Sequence, residues 1–183
     1  IPSVGYESQR AYRYSPSRQD GDVTVPPMLE NIGLLDADTG VSSFAIGVNE
    51  MGEVVGDTSD AIMGRRGFFY SDTHGMQDIG DLGGSVNTQS INDYSQIVGW
   101  DRHPTEGPTA FIYTPETGIN PIIQTAPGDP AIGIFAYDIN DLGFAVGTAE
   151  FTRALNRKKT RTSINPSCYD SLYGQVDDLD ATL

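Results

Sequence analysis

Along residues 1–149, short runs of aromatic and β-branched residues alternate with clusters of Gly, Pro, Asn and Asp. Three of the runs are aromatic: Arg10-Ala-Tyr-Arg-Tyr-Ser15, Arg66-Gly-Phe-Phe-Tyr-Ser71 and Thr109-Ala-Phe-Ile-Tyr-Thr114. A second kind follows each of them, at Met28-Leu-Glu-Asn-Ile-Gly33, Met76-Gln-Asp-Ile-Gly80 and Ile119-Asn-Pro-Ile-Ile123. Runs of this composition, bounded by turn formers, read as β-strands. No stretch before residue 150 holds helical spacing for three turns, so no helix is expected there. A third run ending in Asn and a fourth ending in Val-Gly complete a set of strands a to d.

The set recurs. Ile46-Gly-Val-Asn-Glu-Met-Gly-Glu-Val-Val-Gly56 returns as Gln89-Ser-Ile-Asn-Asp-Tyr-Ser-Gln-Ile-Val-Gly99 and as Tyr137-Asp-Ile-Asn-Asp-Leu-Gly-Phe-Ala-Val-Gly147. From Asn49 to Asn92 is 43 positions, and from Asn92 to Asn140 is 48. A period of about 40–50 residues is the signature of a propeller blade or a related stacked-sheet array. The expected fold is therefore all-β, made of repeated four-stranded antiparallel units and β-propeller-like. Its alternative is an open β stack or filament subunit with strand exchange. Phe68, Phe69, Ile91, Val98, Phe111, Ile112, Ile139 and Val146 are the expected inter-sheet core.

Asn49, Asn92 and Asn140 are expected in equivalent turns between strands c and d. Asn bonds its own backbone two residues on, and Gly52 and Gly143 accept the positive φ that closes such a turn. Ser95 takes the Gly position in the middle repeat and tolerates that geometry less well. Turn chemistry is the simpler reading of these Asn residues, against ligand or ion binding.

Two segments are expected. Residues 1–150 form the repeat domain, with about three full repeats and a leading strand at Ser3-Val-Gly-Tyr6. Residues 151–183 form an atypical C-terminal segment, a degenerate repeat or tail. Charge divides the chain at the same place. Residues 1–149 carry six Arg and no Lys against 20 Asp and Glu, whereas 150–183 are balanced at five and five. So acidic a body repels phosphate backbones, and nucleic acid is not an expected partner. Cations, calcium included, are its natural counterparts. The basic cluster Arg153, Arg157, Lys158, Lys159 and Arg161 could bind an anionic polymer or dock on that body. No run approaches the ~18 apolar residues of a membrane helix.

Catalytic motifs are thin. Cys168 is the sole cysteine and can form no internal disulfide. His74 and His103 fall in loops and match no metal-ligand spacing. No nucleophile elbow, phosphate loop or dinucleotide fingerprint occurs. One acidic loop, Leu35-Asp-Ala-Asp-Thr-Gly40, has the D-x-D-x-G rhythm of calcium sites, which makes Asp36 and Asp38 the candidate metal ligands. It lacks a third spaced Asp and a downstream Glu, and an ordinary Asp/Gly turn explains it as well. Trp100, Tyr94 and Tyr137 are the candidates for ligand binding by stacking.

The combined order of an aromatic A-F-x-Y run, D-I-G-x-L-G-G and I-N-D-x-G-x-x-V-G resembles the HAF-type extracellular repeat family. Gly67-Phe-Phe-Tyr70, Asp78-Ile-Gly-Asp-Leu-Gly-Gly84, Ser90-Ile-Asn-Asp93 and Ile97-Val-Gly99 carry the match, which spans roughly residues 3–150. The family's His-Ala-Phe stands here as Arg-Ala-Tyr, Arg-Gly-Phe and Thr-Ala-Phe. This resemblance implies a secreted or cell-surface protein with propeller-like repeats, and it brings no catalytic residues. The expected function is a non-catalytic extracellular module that binds a glycan or a protein, or that assembles structurally, with self-association included. A carboxylate-based polysaccharide-acting enzyme is the competing expectation.

Overall fold

The computed structural model describes residues 8–36, 40–60, 64–123 and 131–151. Among these every regular element is a strand. The first unit pairs β1 (Ala11–Ser15) with β4 (Met28–Gly33), and a small hairpin of β2 (Arg18–Asp20) and β3 (Val23–Val25) lies between them in sequence. Next comes an antiparallel four-stranded meander of β5 (Gly40–Val48), β6 (Val54–Asp60), β7 (Gly64–Ser71) and β8 (Gly75–Asp78). A second meander repeats it with β9 (Ser85–Ile91), β10 (Ile97–His103), β11 (Gly107–Thr114) and β12 (Gly118–Pro121). The last unit is a hairpin of β13 (Ala131–Ile139) and β14 (Ala145–Phe151). All-β architecture with four-stranded antiparallel sheets is thus as expected, and the described strands form no closed barrel or propeller.

The phase of the repeat differs from the order in which the runs were read. Each full sheet starts at the strand that ends in Asn, continues through Val-Gly and the aromatic run, and finishes on the Met/Ile run. In strand letters the sheet is c-d-a-b. The reason is local: c, d, a and b follow one another after three to five residues and so lie side by side, whereas the b–c connection is six to nine residues long and carries the chain to the next sheet. By the same frame, β1–β4 is an a-b half-sheet and β13–β14 a c-d half-sheet.

Layers are held together by strands that are apolar on both faces, as expected when a sheet is covered on each side. Val54, Phe68 and Tyr70 pack towards β1 and β4 with Ala11 and Ile32. Their neighbours Val55 and Phe69 point the other way, into a cluster with Ile79, Val86, Ile91, Ile97, Phe111 and Tyr113. Val98 and Ala110 turn to Ala136 and Ile139 of β13, and Ile112 is partly buried against that group. The Val-Val and Ile-Val pairs therefore serve two cores each, because successive strand residues face opposite sides. Phe68, Phe69, Ile91, Val98, Phe111 and Ile139 are buried as expected. Val146 is not: it is 64% exposed. Nothing among the described residues lies beyond β14 to cover it.

Leading strand Ser3–Tyr6 and the segment from residue 152 on fall outside the described residues.

Candidate functional site

Three turns, one in each of the last three units, share one geometry. The amides of Asn49, Asn92 and Asn140 donate to the carbonyls of Glu53, Gln96 and Phe144, each at 3.1 Å. Each Asn carbonyl accepts from the residue three on: Gly52 at 3.0 Å, Ser95 at 3.1 Å and Gly143 at 3.0 Å. Each Asn Oδ1 accepts the amide four residues on, from Glu53, Gln96 and Phe144, at 3.0 Å. Gly52 and Gly143 sit at φ 77° and 79°, and Ser95 follows them at φ 57° as the one described non-glycine with positive φ. Ser95 offsets this strain with a 2.6 Å hydrogen bond from its hydroxyl to Glu53 Oε2 in the preceding turn.

That bond is one of several that cross between sheets. Asn49 Nδ2 donates to the Asn92 carbonyl at 3.0 Å, and Asn92 Nδ2 to the Asn140 carbonyl at 2.8 Å. The Glu50 amide donates to Asp93 Oδ1 at 2.8 Å, and the Asp93 amide to Asp141 Oδ1 at 3.0 Å. The Asn turns are thus rungs of a ladder in which the Asn side chain and the following backbone amide of one turn donate to the next, while the Ser95 hydroxyl donates back to Glu53. Sequence reading placed these residues in like turns but did not show that they touch. Their spacing of 43 and 48 positions was the available signal, since equal turns on stacked sheets fall in register. Before the first rung, Arg13 of β1 stands in: Nη1 donates to the Gly52 carbonyl at 2.8 Å, and Nη2 pairs with Glu30 and Asp72.

A second grouping is aromatic. The Trp100 and Phe135 rings meet edge to face at 5.3 Å, and Phe135 stacks on Tyr137 at 6.4 Å and 18°. Arg102 lies over the Trp100 ring, 5.4 Å from its centre. Two of the three stacking candidates, Trp100 and Tyr137, are therefore joined in one row through Phe135, a residue the sequence did not single out. Its position two before Tyr137 on one strand was the signal. Tyr94 is elsewhere, exposed at the tip of the Asn92 turn.

The buried carboxylates are engaged in structure. Asp57 is sealed inside, where its Oδ1 accepts from the Thr88 amide and hydroxyl, both at 2.9 Å, and Arg65 Nε lies 3.0 Å from its Oδ2. Desolvation raises its pKa; the Thr88 bonds and Arg65 oppose that rise. Asp101 Oδ2 accepts the Leu82 amide at 2.9 Å and so pins the loop that leads into β9. Gly84 is required beside it, because a Cβ there would lie 2.1 Å from Asp101 Oδ1.

His74 is in the β7–β8 turn, where its amide donates to Ser71 Oγ at 3.3 Å. His103 Nδ1 accepts the Thr105 and Glu106 amides at 3.3 Å and 3.2 Å. Among the described residues no three His, Cys, Asp or Glu side chains gather as a metal site. Asp36 is described, while Asp38 lies outside the described residues, so the calcium loop is not seen as a unit. No described helix is long and apolar enough to cross a membrane.

No family model, curated protein or solved structure matches the chain.

Proposed function

We propose that this chain is a non-catalytic extracellular repeat module, propeller-like in its unit, that acts at the cell surface by binding a glycan or a protein or by structural assembly. The observation that carries the binding role is the row Arg102–Trp100–Phe135–Tyr137, which runs from the third sheet onto the final hairpin. Tyr137 keeps nearly half of its surface in solvent. Arg102 lies over the Trp100 ring, so the more open ring surface of the row is that of Tyr137, and such a face accepts the apolar side of a sugar ring. A glycan is the ligand class that this row favours. Resemblance of the repeats to the HAF type supports the extracellular setting. The acidic body, with no Lys before residue 150, argues against a nucleic-acid partner.

The test is a glycan-array and turnover screen on the full chain. Binding should weaken by about tenfold in Trp100→Ala and Tyr137→Ala, with no product formed. Hydrolysis that responds to mutation would overturn the reading in favour of the carboxylate-based polysaccharide-acting enzyme. Binding that both substitutions leave intact would remove the aromatic row from it.

A further inference from the structure

The two ends of the stack are complementary halves of one sheet. Full sheets run c-d-a-b; β13–β14 supplies c-d and β1–β4 supplies a-b. We propose that β14 of one copy pairs antiparallel with β1 of a second copy, so that the two half-sheets complete a four-stranded sheet and copies join head to tail.

Four observations place the same pieces in the same position. The first concerns glycine. In the full sheets an aromatic ring covers the Gly of strand d: the Phe68 ring comes within 2.7 Å of where a Gly56 Cβ would be, and the Phe111 ring within 2.8 Å of that of Gly99. At Gly147 the three nearest atoms belong to the backbone of Phe135 and Ala136, with no ring among them. The residue of β1 equivalent to Phe68 and Phe111 is Tyr12, which is 60% exposed whereas they are fully buried. Tyr12 of the second copy fits over Gly147, an aromatic ring compensating for a strand glycine.

Next is the apolar layer. Val55 and Val98 are fully buried, but their counterpart Val146 is open. In the adjoining sheets Ile91 and Ile139, the residues just before the turn Asn, help form the layers that Val55 and Val98 enter. Their counterpart in β5, Val48, is 61% exposed. Val146 of one copy thus meets Val48 of the other.

The ladder is the third. Its donor end is open among the described residues: neither Asn140 Nδ2 nor the Asp141 amide has a hydrogen-bond partner there, while Asn92 and Asp93 use theirs on the next turn. At the other end the Asn49 carbonyl bonds only Gly52, and Glu50 stands where Asp93 and Asp141 stand as acceptors. Asn140 to the Asn49 carbonyl and Asp141 to the Glu50 carboxylate continue the ladder with its direction unchanged. Last, a depression of about 400 Å³ lies between β1 and β5, lined by Arg10, Tyr12, Ser43 and Phe44 among others, where the incoming hairpin would seat.

An unpaired edge strand recruits a strand, and the repeat interface inside the chain specifies which one. The contact is heterologous, one patch meeting a different patch, and it propagates into rings or fibres. It stands on the open half-sheets alone and is independent of ligand binding by the aromatic row.

The experiment uses the full chain. Light scattering across concentration should show mass rising above the monomer. Val146→Lys and Tyr12→Glu, both at exposed positions, should each weaken association by about tenfold or more. Register is tested separately in a Cys168→Ser background. Val54 pairs with Tyr70 and Ile97 with Tyr113, which sets Ala145 opposite Tyr14. A mixture of Ala145→Cys and Tyr14→Cys chains should form a disulfide-linked dimer, and Phe151→Cys mixed with Tyr14→Cys should not. A monomer at every concentration overturns the proposal, whichever segment then covers β14. Equal cross-linking by Ala145→Cys and Phe151→Cys, or association untouched by both charged substitutions, overturns it as well.

Discussion

The middle of the stack and its two ends are built from the same strand sequences and meet opposite fates. In β6 and β10 the pairs Val54-Val55 and Ile97-Val98 are buried; in β14 Ala145-Val146 is exposed. In β7 and β11 Phe68, Tyr70, Phe111 and Tyr113 are buried; in β1 Tyr12 and Tyr14 face solvent. Among the described residues the middle strands have a partner on each edge or a sheet on each face, and the end strands lack one or both. Burial in a repeat array is thus a property of the neighbour, not of the residue.

The strongest way to break this comparison is to truncate the matched aromatics. Phe68→Ala or Phe111→Ala should cost about 3–5 kcal/mol in urea unfolding of the full chain. Tyr12→Ala should change stability by no more than about 0.5 kcal/mol at a concentration where the chain is monomeric. Equal losses would show that the first half-sheet is covered in solution.

The ladder gives the next contrast. Asn92 uses Oδ1 for the Tyr94 and Gln96 amides and Nδ2 for Gln96 Oε1 and the Asn140 carbonyl. Among the described residues the Asn140 side chain has only the two amide bonds of its own turn, from Leu142 and Phe144. Asn92→Ala should therefore cost about 2–3 kcal/mol and Asn140→Ala about 1 kcal/mol, by the same unfolding measurement. The reverse order would mean that the bonds between turns contribute little.

Ser95 sharpens the comparison among turns. Ser95→Ala loses the bond to Glu53 and keeps the positive φ, while Ser95→Gly loses the bond and relieves the backbone. The glycine variant should be the more stable of the two by about 1 kcal/mol. If alanine proves the better residue, strain at this φ is negligible.

The smallest effect is a pH dependence. Burial raises the Asp57 pKa, so the folded chain holds that proton to higher pH than the unfolded chain does. Its contribution to stability is most favourable below the unfolded value and declines as pH rises to the folded value; beyond that it is constant. Stability of the wild type minus that of Asp57→Asn should fall across that acidic window. A flat or rising difference would show that Arg65 and Thr88 outweigh desolvation.

Much of the fold is legible in the residues themselves. Runs of aromatic and β-branched residues between turn formers mark the strands, and the recurring Asn, with Gly52, Ser95 or Gly143 three residues on, marks equivalent turns at Asn49, Asn92 and Asn140. Trp100 and Tyr137 are legible as stacking candidates one by one; Trp100 is only partly exposed, and its row with Tyr137 is not written in the residues. Their connection through Phe135 was not legible, because it depends on β13 lying against β10. Val146 differs from expectation for a related reason: its sequence matches that of Val55 and Val98, and among the described residues no strand covers it. Arg13 takes the place of Phe69 and Ile112 in its run, and nothing in the run shows that its guanidinium reaches the Gly52 carbonyl.

What the sequence determined by itself is what repeats: strand type, turn type, and the apolar pairs that the central strands turn to opposite sides. These follow from contacts between residues close in the chain, where backbone preference and side-chain period decide. The tertiary structure decided what does not repeat: the phase at which the chain is cut into sheets, the direction of the ladder, and the two half-sheets left open at its ends. Those depend on which sheet lies against which, and the energy of that packing belongs to pairs of residues roughly 40–50 positions apart.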